Sequence, residues 1–121
     1  MKISEIIMLI LFSVCMGVGQ LLFKLTAARQ SINSEMTWEV RLYTLLGDWV
    51  FLLGVVLYGL MLVYWIWLLT FLPLSRAYPF TLLSIVVAAI GGAIFFQETL
   101  SLRFFVGVTI MGVGLVVLST Q

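Results

Sequence analysis

Hydrophobic residues run almost unbroken along most of this 121-residue chain, and the few charged residues divide the run into four windows. Each window approaches the roughly 20 residues that an α-helix needs to cross the hydrocarbon core of a bilayer. Uninterrupted apolar runs favour helices over the alternating strands of a membrane barrel. The pattern predicts an all-α integral membrane protein of one domain, with four transmembrane helices over residues 4–28, 49–72, 74–97 and 101–119.

The polar segment RQSINSE is the clearest break in the apolar pattern, and it follows the first predicted span. Beyond it, apolar residues recur at the spacing of an amphipathic helix. They are Trp38, Leu42, Leu45, Leu46 and Trp49, opposite Glu35, Glu39 and Arg41. This spacing predicts a short helix on the membrane surface, capped by Asn33 or Ser34. A loop that leads directly into the second span is an equal alternative.

Helix-boundary residues mark the other junctions. Asp48 is expected to begin the second span, which must end before Pro73 because proline disfavours helix in the residue before it. The turn between the second and third spans is therefore tight. Ser101 is the expected cap of the fourth span.

Composition supports the membrane assignment and excludes several classes of function. The chain is 64% hydrophobic and 9% charged, whereas soluble domains are about 45–50% apolar and about 25% charged. One cysteine, Cys15, and no histidine exclude an internal disulfide and argue against a His/Cys metal site or a Ser-His-Asp hydrolase. We therefore expect no enzyme, no metal and no cofactor. A net charge of +1 gives no basic surface for nucleic acid.

The first window is too long for a signal peptide and lacks a cleavage site, so we expect it to be retained.

The distribution of Lys and Arg specifies orientation weakly. The N-terminus and the turn between spans 2 and 3 carry two of these residues, and the opposite side carries four, namely Lys24, Arg29, Arg41 and Arg103. So small a bias permits insertion in both directions, or a partner that determines it. Four helices also make a small wall around a pathway, so we expect a dimer, either antiparallel or pseudo-symmetric.

Four small or polar residues of the first span share one helical face, namely Ser13, Gly17, Gln20 and Lys24. We interpret this face as the wall of a substrate pathway, because polar residues in a membrane usually face protein or a cavity. For Lys24 the alternative is a lysine that extends to the interface. For Gln20 it is an interhelical hydrogen bond.

The third span begins with PLSRAYPF, where Arg76 and Tyr78 lie beside two prolines. A guanidinium holds a phosphate through paired hydrogen bonds, and the free N–H groups of a helix N-terminus favour the same anion. These residues are therefore candidates for the pathway. The alternative for Arg76 is an anchor that binds lipid headgroups without specificity.

Aromatic residues and glycines supply the remaining candidates. Tyr58 and Trp65 lie on one stripe of the second span, where they are candidates to stack on a sugar or a cation, although an interfacial aromatic belt is more common. Gly107 and Gly114 are seven residues apart on the fourth span and predict a packing seam. All five acidic residues flank the predicted spans, so we expect an interior without carboxylates.

These features resemble the small four-helix members of the drug/metabolite transporter superfamily, which include the small multidrug resistance and EamA-like proteins. The resemblance covers nearly the whole chain. It rests on the step from Gly19 to Lys24, on the junctions LPLSRAYPF and FFQETLSLRFFVG, and on the glycine pair of the fourth span. In the multidrug members that glycine pair is a dimer contact, so the resemblance implies one at Gly107 and Gly114.

One residue departs from the multidrug pattern. The multidrug exporters carry an essential glutamate three residues before the glycine that corresponds to Gly19, and this chain has Met16 there. The segments GQLLFK and LSRAYPF are instead similar to the subunits that flip undecaprenyl-phosphate-linked aminoarabinose.

The resemblance implies a flippase or flippase subunit in the bacterial inner membrane, moving a polyprenyl-phosphate-linked sugar for envelope glycan modification. Its partner would be an identical or a related four-helix subunit. The alternatives are an exporter of small organic cations or metabolites, and a non-transporting subunit that scaffolds a glycosyltransferase.

Overall fold

The computed structural model describes residues 2–31 and 37–120, and it places four helical spans side by side. The first span is α1 (Ile3–Ser31) and the second is α3 (Trp49–Leu69). The third span consists of α4 (Leu74–Ala77), a 3₁₀ turn (Tyr78–Thr81) and α5 (Leu82–Phe95), and the fourth is α6 (Leu102–Ser119). All four are long and apolar enough to cross a bilayer, which confirms the predicted fold class.

The short helix between the first two spans also forms, as α2 (Trp38–Gly47). Its residues are exposed or half-buried, and Trp38 and Leu46 on its apolar stripe are 70% and 63% exposed. The residue before its first turn is Thr37. The predicted caps Asn33 and Ser34, and the predicted polar-face residue Glu35, lie outside the described residues.

The helix boundaries differ from the predicted ones where local hydrogen bonding overrides hydropathy. The first helix continues to Ser31, three residues beyond the predicted end. The second ends at Leu69, because Thr70 and Phe71 already form a turn before Pro73. Asp48 and Ser101 are N-caps as predicted: their side chains accept hydrogen bonds from the backbone N–H groups of Val50 and Phe104.

The third span is interrupted near its start, where the sequence predicts one helix over residues 74–97. Pro79 lies in the first positions of the 3₁₀ turn, since it lacks an N–H group to donate to the helical ladder. At the other end, Gln97 has a φ of 54°, which turns the chain after Phe95. The backbone N–H of Glu98 then donates to the carbonyl oxygen of Gly92, at 3.3 Å.

The best-packed part of the molecule lies beside this interruption. Six buried residues from α1, α3, the turn after α3 and the start of the third span form a cluster: Leu9, Phe12, Leu68, Leu72, Ala77 and Phe80. In lipid such a cluster is held together by van der Waals contact more than by exclusion of water. The cluster contacts α1 through Leu9 and Phe12, in the N-terminal half of that helix. The C-terminal half of α1 therefore lies at a different depth in the membrane.

Helix α1 is central, with α3 and α5 packed against it. Small residues allow these close contacts: Gly19 lies under the ring of Tyr58, and Gly54 lies against Phe23. Helix α6 lies against α5 but has no buried residue, so most of its surface faces lipid or another chain.

Candidate functional site

A furrow runs along one side of the helix trio, between α1 and the third span, with α3 as its floor at one end. On α1 its wall is formed by Phe12, Met16, Gln20 and Lys24, each four residues from the next. On the third span it is formed by Thr81, Ser84, Ala88 and Gly92. Residues at this spacing share one helical face. The furrow consists of two adjoining crevices along that face. It follows α1 for about 18 Å, at about 1.5 Å per residue.

The crevice near the well-packed end, here called the aromatic crevice, has a volume of about 290 Å³. Its nine lining residues come from α1, α3 and the start of the third span: Phe12, Met16, Tyr58, Met61, Leu62, Trp65, Tyr78, Thr81 and Ser84. The indole of Trp65 stacks on Phe12, with ring centroids 4.7 Å apart. The hydroxyls of Thr81 and Ser84 both donate to carbonyls of their own span, which leaves their oxygens available as acceptors.

The crevice at the other end, here called the polar crevice, has a volume of about 270 Å³. It is lined by Gln20, Leu21, Lys24, Ala88, Ala89, Gly92 and Glu98. Lys24 Nζ lies 3.2 Å from Glu98 Oε1, and the two side chains are 53% and 46% exposed. The polar crevice therefore contains one positive and one negative charge, both accessible from outside.

A side-chain hydrogen bond joins the two crevices. Gln20 Nε2 donates to Tyr58 Oη at 2.6 Å, and Gln20 lines the polar crevice while Tyr58 lines the aromatic one. The Tyr58 hydroxyl in turn lies 3.4 Å from the carbonyl oxygen of Met16. The bond therefore lies across the middle of the furrow. Its two partners, Gln20 and Tyr58, are both among the residues predicted for the pathway.

Three predicted pathway residues line neither crevice, and two of them, Ser13 and Gly17, are buried. Ser13 is buried, and its hydroxyl lies 2.7 Å from the carbonyl oxygen of Phe80 and 2.9 Å from that of Leu9. Gly17 is buried at the contact with α5, where an added Cβ would come within 2.6 Å of Val87. Ser13 and Gly17 lie about 100° around α1 from Phe12 and Met16, which face the furrow instead.

Arg76 and Tyr78 lie on the side of the membrane opposite Lys24. Helix α1 and the third span run in the same direction, and Lys24 lies near the end of α1 whereas Arg76 and Tyr78 lie at the start of the third span. Tyr78 lines the aromatic crevice, near the edge of Trp65. Arg76 is exposed on α4, a helix of four residues, so the structure offers it no extended helix N-terminus. The structure thus brings Tyr58, Trp65 and Tyr78 together, with Gln20 and Lys24 beyond them and Arg76 outside.

One of the acidic residues that flank the spans nevertheless lines the furrow. Glu98 follows the third span, as the sequence indicates, but its side chain reaches back over Gly92 to Lys24. Hydropathy places such a residue outside the span and says nothing of where its side chain reaches. The order of the predicted spans gives the one indication of this contact in the sequence, because it places Lys24 and Glu98 on the same side of the membrane.

The glycines of α6 are open. An added Cβ at Gly107 or at Gly114 would meet no atom within 4 Å. On the adjoining face of the helix, Val108, Met111 and Leu115 face α5 across a small cavity. Among residues 2–31 and 37–120, nothing therefore packs against the predicted glycine seam.

Comparison with known proteins identifies relatives over most of the chain. A protein of Hamiltonella defensa named "Probable 4-amino-4-deoxy-L-arabinose-phosphoundecaprenol flippase subunit ArnE" is 35% identical over 96 residues, which are 78% of this chain and 86% of that one. Proteins with the same name from Aeromonas salmonicida and Aeromonas hydrophila are 32% and 30% identical, over 92% and 94% of this chain and 95% and 96% of theirs. No protein-family profile and no solved structure matches.

The matches cover most of the length of all three relatives. They agree with the resemblance based on GQLLFK and LSRAYPF, and with a multi-pass protein of the bacterial inner membrane. The relatives are named as subunits, which indicates a partner subunit. The chain belongs to the ArnE family of flippase subunits.

Proposed function

We propose that this chain is one subunit of a flippase that moves a polyprenyl-phosphate-linked amino sugar across the bacterial inner membrane, for modification of envelope glycans. The observation that carries the proposal is the furrow between α1 and the third span. It combines a charged crevice at one membrane face with an aromatic crevice deeper in the span. A lipid-linked sugar requires the same combination, since its headgroup is polar and its tail remains in hydrocarbon.

The residues of the furrow have distinct proposed roles. Lys24 attracts the lipid phosphate, and Gln20 and Tyr58 supply hydrogen-bonding groups for the sugar as it passes. Trp65 and Tyr78 offer aromatic surface on which a sugar ring can stack. Arg76, exposed on the other membrane face, attracts the phosphate at the end of its path.

The polyprenyl tail needs no polar passage. The furrow lies on the face of α5 away from α6, and apolar side chains around it are exposed, including Leu62 at 60% and Ile85 at 44%. A headgroup can therefore move along the furrow while its tail stays in lipid beside the helices. This arrangement avoids the large cost of drawing a long hydrocarbon chain through a polar channel.

A second subunit completes the proposed pathway, because one wall of three helices does not enclose a headgroup. We propose a homodimer, or a heterodimer with a related four-helix subunit, with contact through the open glycine seam of α6 at Gly107 and Gly114. In transporters built from two related halves, the substrate site lies near the middle of the bilayer, at the interface between the halves.

Lipids retained during gentle purification test the proposal. We expect mass spectrometry of the purified protein to detect a polyprenyl phosphate bearing an amino sugar. The control is the variant Lys24→Gln, which we expect to retain much less of that lipid. Purified protein that retains no polyprenyl phosphate, and vesicles that move none, would contradict the proposal.

An exporter of small organic cations is the second candidate, and the aromatic crevice favours it. Tyr58, Trp65 and Tyr78 lie on its walls, and aromatic faces attract quaternary ammonium groups. This candidate predicts that cells expressing the protein resist quaternary ammonium compounds, and that Trp65→Ala abolishes the resistance. Unchanged sensitivity of such cells would eliminate it.

A further inference from the structure

The ion pair in the polar crevice has a specific backbone arrangement behind it. Gln97 adopts a φ of 54°, which non-glycine residues rarely do, and this turn places Glu98 beside α5. A Cβ at Gly92 would come within 2.7 Å of Glu98 Oε2, so the carboxylate occupies space that any other residue would fill. Turn and glycine together hold the carboxylate against Lys24.

A carboxylate at this position works against the binding of a simple anion. Lys24 alone would attract a lipid phosphate, whereas Glu98, 3.2 Å from it, repels that phosphate and competes for the same ammonium group. A substrate that carries both a phosphate and a protonated amine avoids this conflict, because each of its charges has a partner in the crevice.

We infer that Lys24 and Glu98 form a receptor for a zwitterionic headgroup, in which Lys24 binds the phosphate and Glu98 binds a protonated amine on the sugar. The inference rests on the proposed function and makes Glu98 a specificity-determining residue. The two side chains separate to admit the sugar between them. Half-exposed ion pairs contribute little to stability, so separating the two side chains costs little free energy.

The surrounding crevice is consistent with this role. Its volume is about 270 Å³, and its other walls are formed by small residues, namely Ala88, Ala89 and Gly92, so the space beside the ion pair is open. Gln20 adds an amide at the inner end, where the aromatic crevice begins. A bound headgroup therefore has both charges matched at the entrance and a hydrogen-bonding group on the path inward.

The experiment compares two lipids that differ only at the amine. One carries the free amino sugar on a polyprenyl phosphate, and the other carries the same sugar with its nitrogen acylated, which removes the positive charge. Uptake of each is measured in vesicles containing the protein with the partner that co-purifies from its membrane. We expect the native protein to prefer the free amine by about tenfold, as a charge-assisted hydrogen bond replaces a neutral one.

Variants of the carboxylate then separate charge from shape. Glu98→Gln keeps the size and hydrogen-bonding capacity of the side chain, and we expect the preference to fall to within about twofold. Glu98→Asp keeps the charge and should retain most of the preference. Asp48→Asn is the matched control, because it removes the other ion pair at the same membrane face, with Arg29, and asparagine still caps α3. Its preference should equal that of the native protein.

The double variant Lys24→Glu with Glu98→Lys distinguishes a receptor from a structural ion pair. It restores the pair with opposite polarity, so a purely structural pair would regain transport and the native preference, which would overturn the inference. We expect transport to stay low, because each charge of the headgroup now meets its like at the position it reaches.

The uptake measurements distinguish failure of this inference from failure of the proposed function. Equal uptake of both lipids by the native protein, or a Glu98→Gln variant with the native preference, would overturn this inference and leave the proposed function standing. Uptake of neither lipid by the native protein would overturn both.

Discussion

Gln20 Nε2 lies 2.6 Å from Tyr58 Oη, so a residue of the first span and a residue of the second are joined at the point where the polar and aromatic crevices meet. Tyr58 also covers Gly19 and contacts the ring of Phe23, with centroids 5.0 Å apart. The hydrogen bond is therefore held in place by packing on one side and open to the furrow on the other.

Removing either partner of this bond should have a modest and non-additive effect on stability. We expect Tyr58→Phe and Gln20→Ala each to lower the free energy of unfolding by about 0.5–1.5 kcal/mol, since a typical hydrogen bond contributes that much. The double variant should lose less than the sum, because the second change removes a group that has already lost its partner. Denaturant unfolding in detergent measures all three.

Tyr43→Phe serves as the control for that series. Tyr43 is 78% exposed on α2, away from the furrow, and we expect its replacement to leave the unfolding free energy unchanged. Fully additive losses in Gln20→Ala and Tyr58→Phe would show that the bond does not couple the two spans.

Replacing Lys24 should reduce transport strongly. We expect Lys24→Gln to lower the uptake of the polyprenyl-phosphate-linked sugar by at least about tenfold, because a charged hydrogen bond to phosphate contributes about 1.5–3 kcal/mol. Lys24→Arg should keep part of the activity. Arg29→Gln is the control, since Arg29 pairs with Asp48 at the same membrane face and lines neither crevice. Equal losses in Lys24→Gln and Arg29→Gln would indicate a general effect of surface charge.

Arg76 should contribute less than Lys24. It is exposed, so its attraction for an anion is weakened by water and salt. We expect Arg76→Ala to lower uptake by about two- to fivefold, the effect of an interaction of up to about 1 kcal/mol. High salt should diminish the difference between native protein and variant. A salt-independent loss would contradict an electrostatic role.

The buried Ser13 should affect stability and leave the transport of folded protein intact. We expect Ser13→Ala to cost about 1 kcal/mol, because the carbonyl of Phe80 loses its hydrogen bond in a buried position. Uptake per folded molecule, measured in vesicles with matched protein content, should equal that of the native protein. A large loss of uptake at normal stability would return Ser13 to the pathway.

The glycines should separate into three groups by what surrounds them. Gly17→Ala should destabilise the protein by about 1–3 kcal/mol, because its Cβ would overlap Val87 on a packed helix. Gly92→Ala should displace the half-exposed side chain of Glu98 from Lys24, at little cost in stability because such ion pairs contribute little. Gly107→Leu should leave folding unchanged, since no atom of the described part of the chain lies within 4 Å of an added Cβ, and should weaken association if the seam of α6 is a subunit contact. Cross-linking in membranes and thermal unfolding measure the two quantities independently.

Hydropathy and capping residues were sufficient to predict the four spans, whereas amphipathic spacing indicated the short helix between the first two but left a loop as an equal alternative. Both depend on local chemistry: a span needs about 20 apolar residues, and Asp48 and Ser101 satisfy free N–H groups wherever a helix begins. The 3₁₀ turn at Pro79 is also local in origin, although the sequence alone does not show that α5 resumes after it.

The furrow depends on helix packing, and there the periodicity of α1 was an incomplete guide. Gln20 and Lys24 face it, while Ser13 and Gly17 on the predicted face are buried against the third span. A polar stripe shows which side of a helix avoids lipid; packed contacts and cavities can share that side, and only the positions of neighbouring helices separate them. For the same reason, the reach of Glu98 to Lys24 follows from the turn at Gln97 and the space above Gly92, which bring together residues 74 positions apart in the chain.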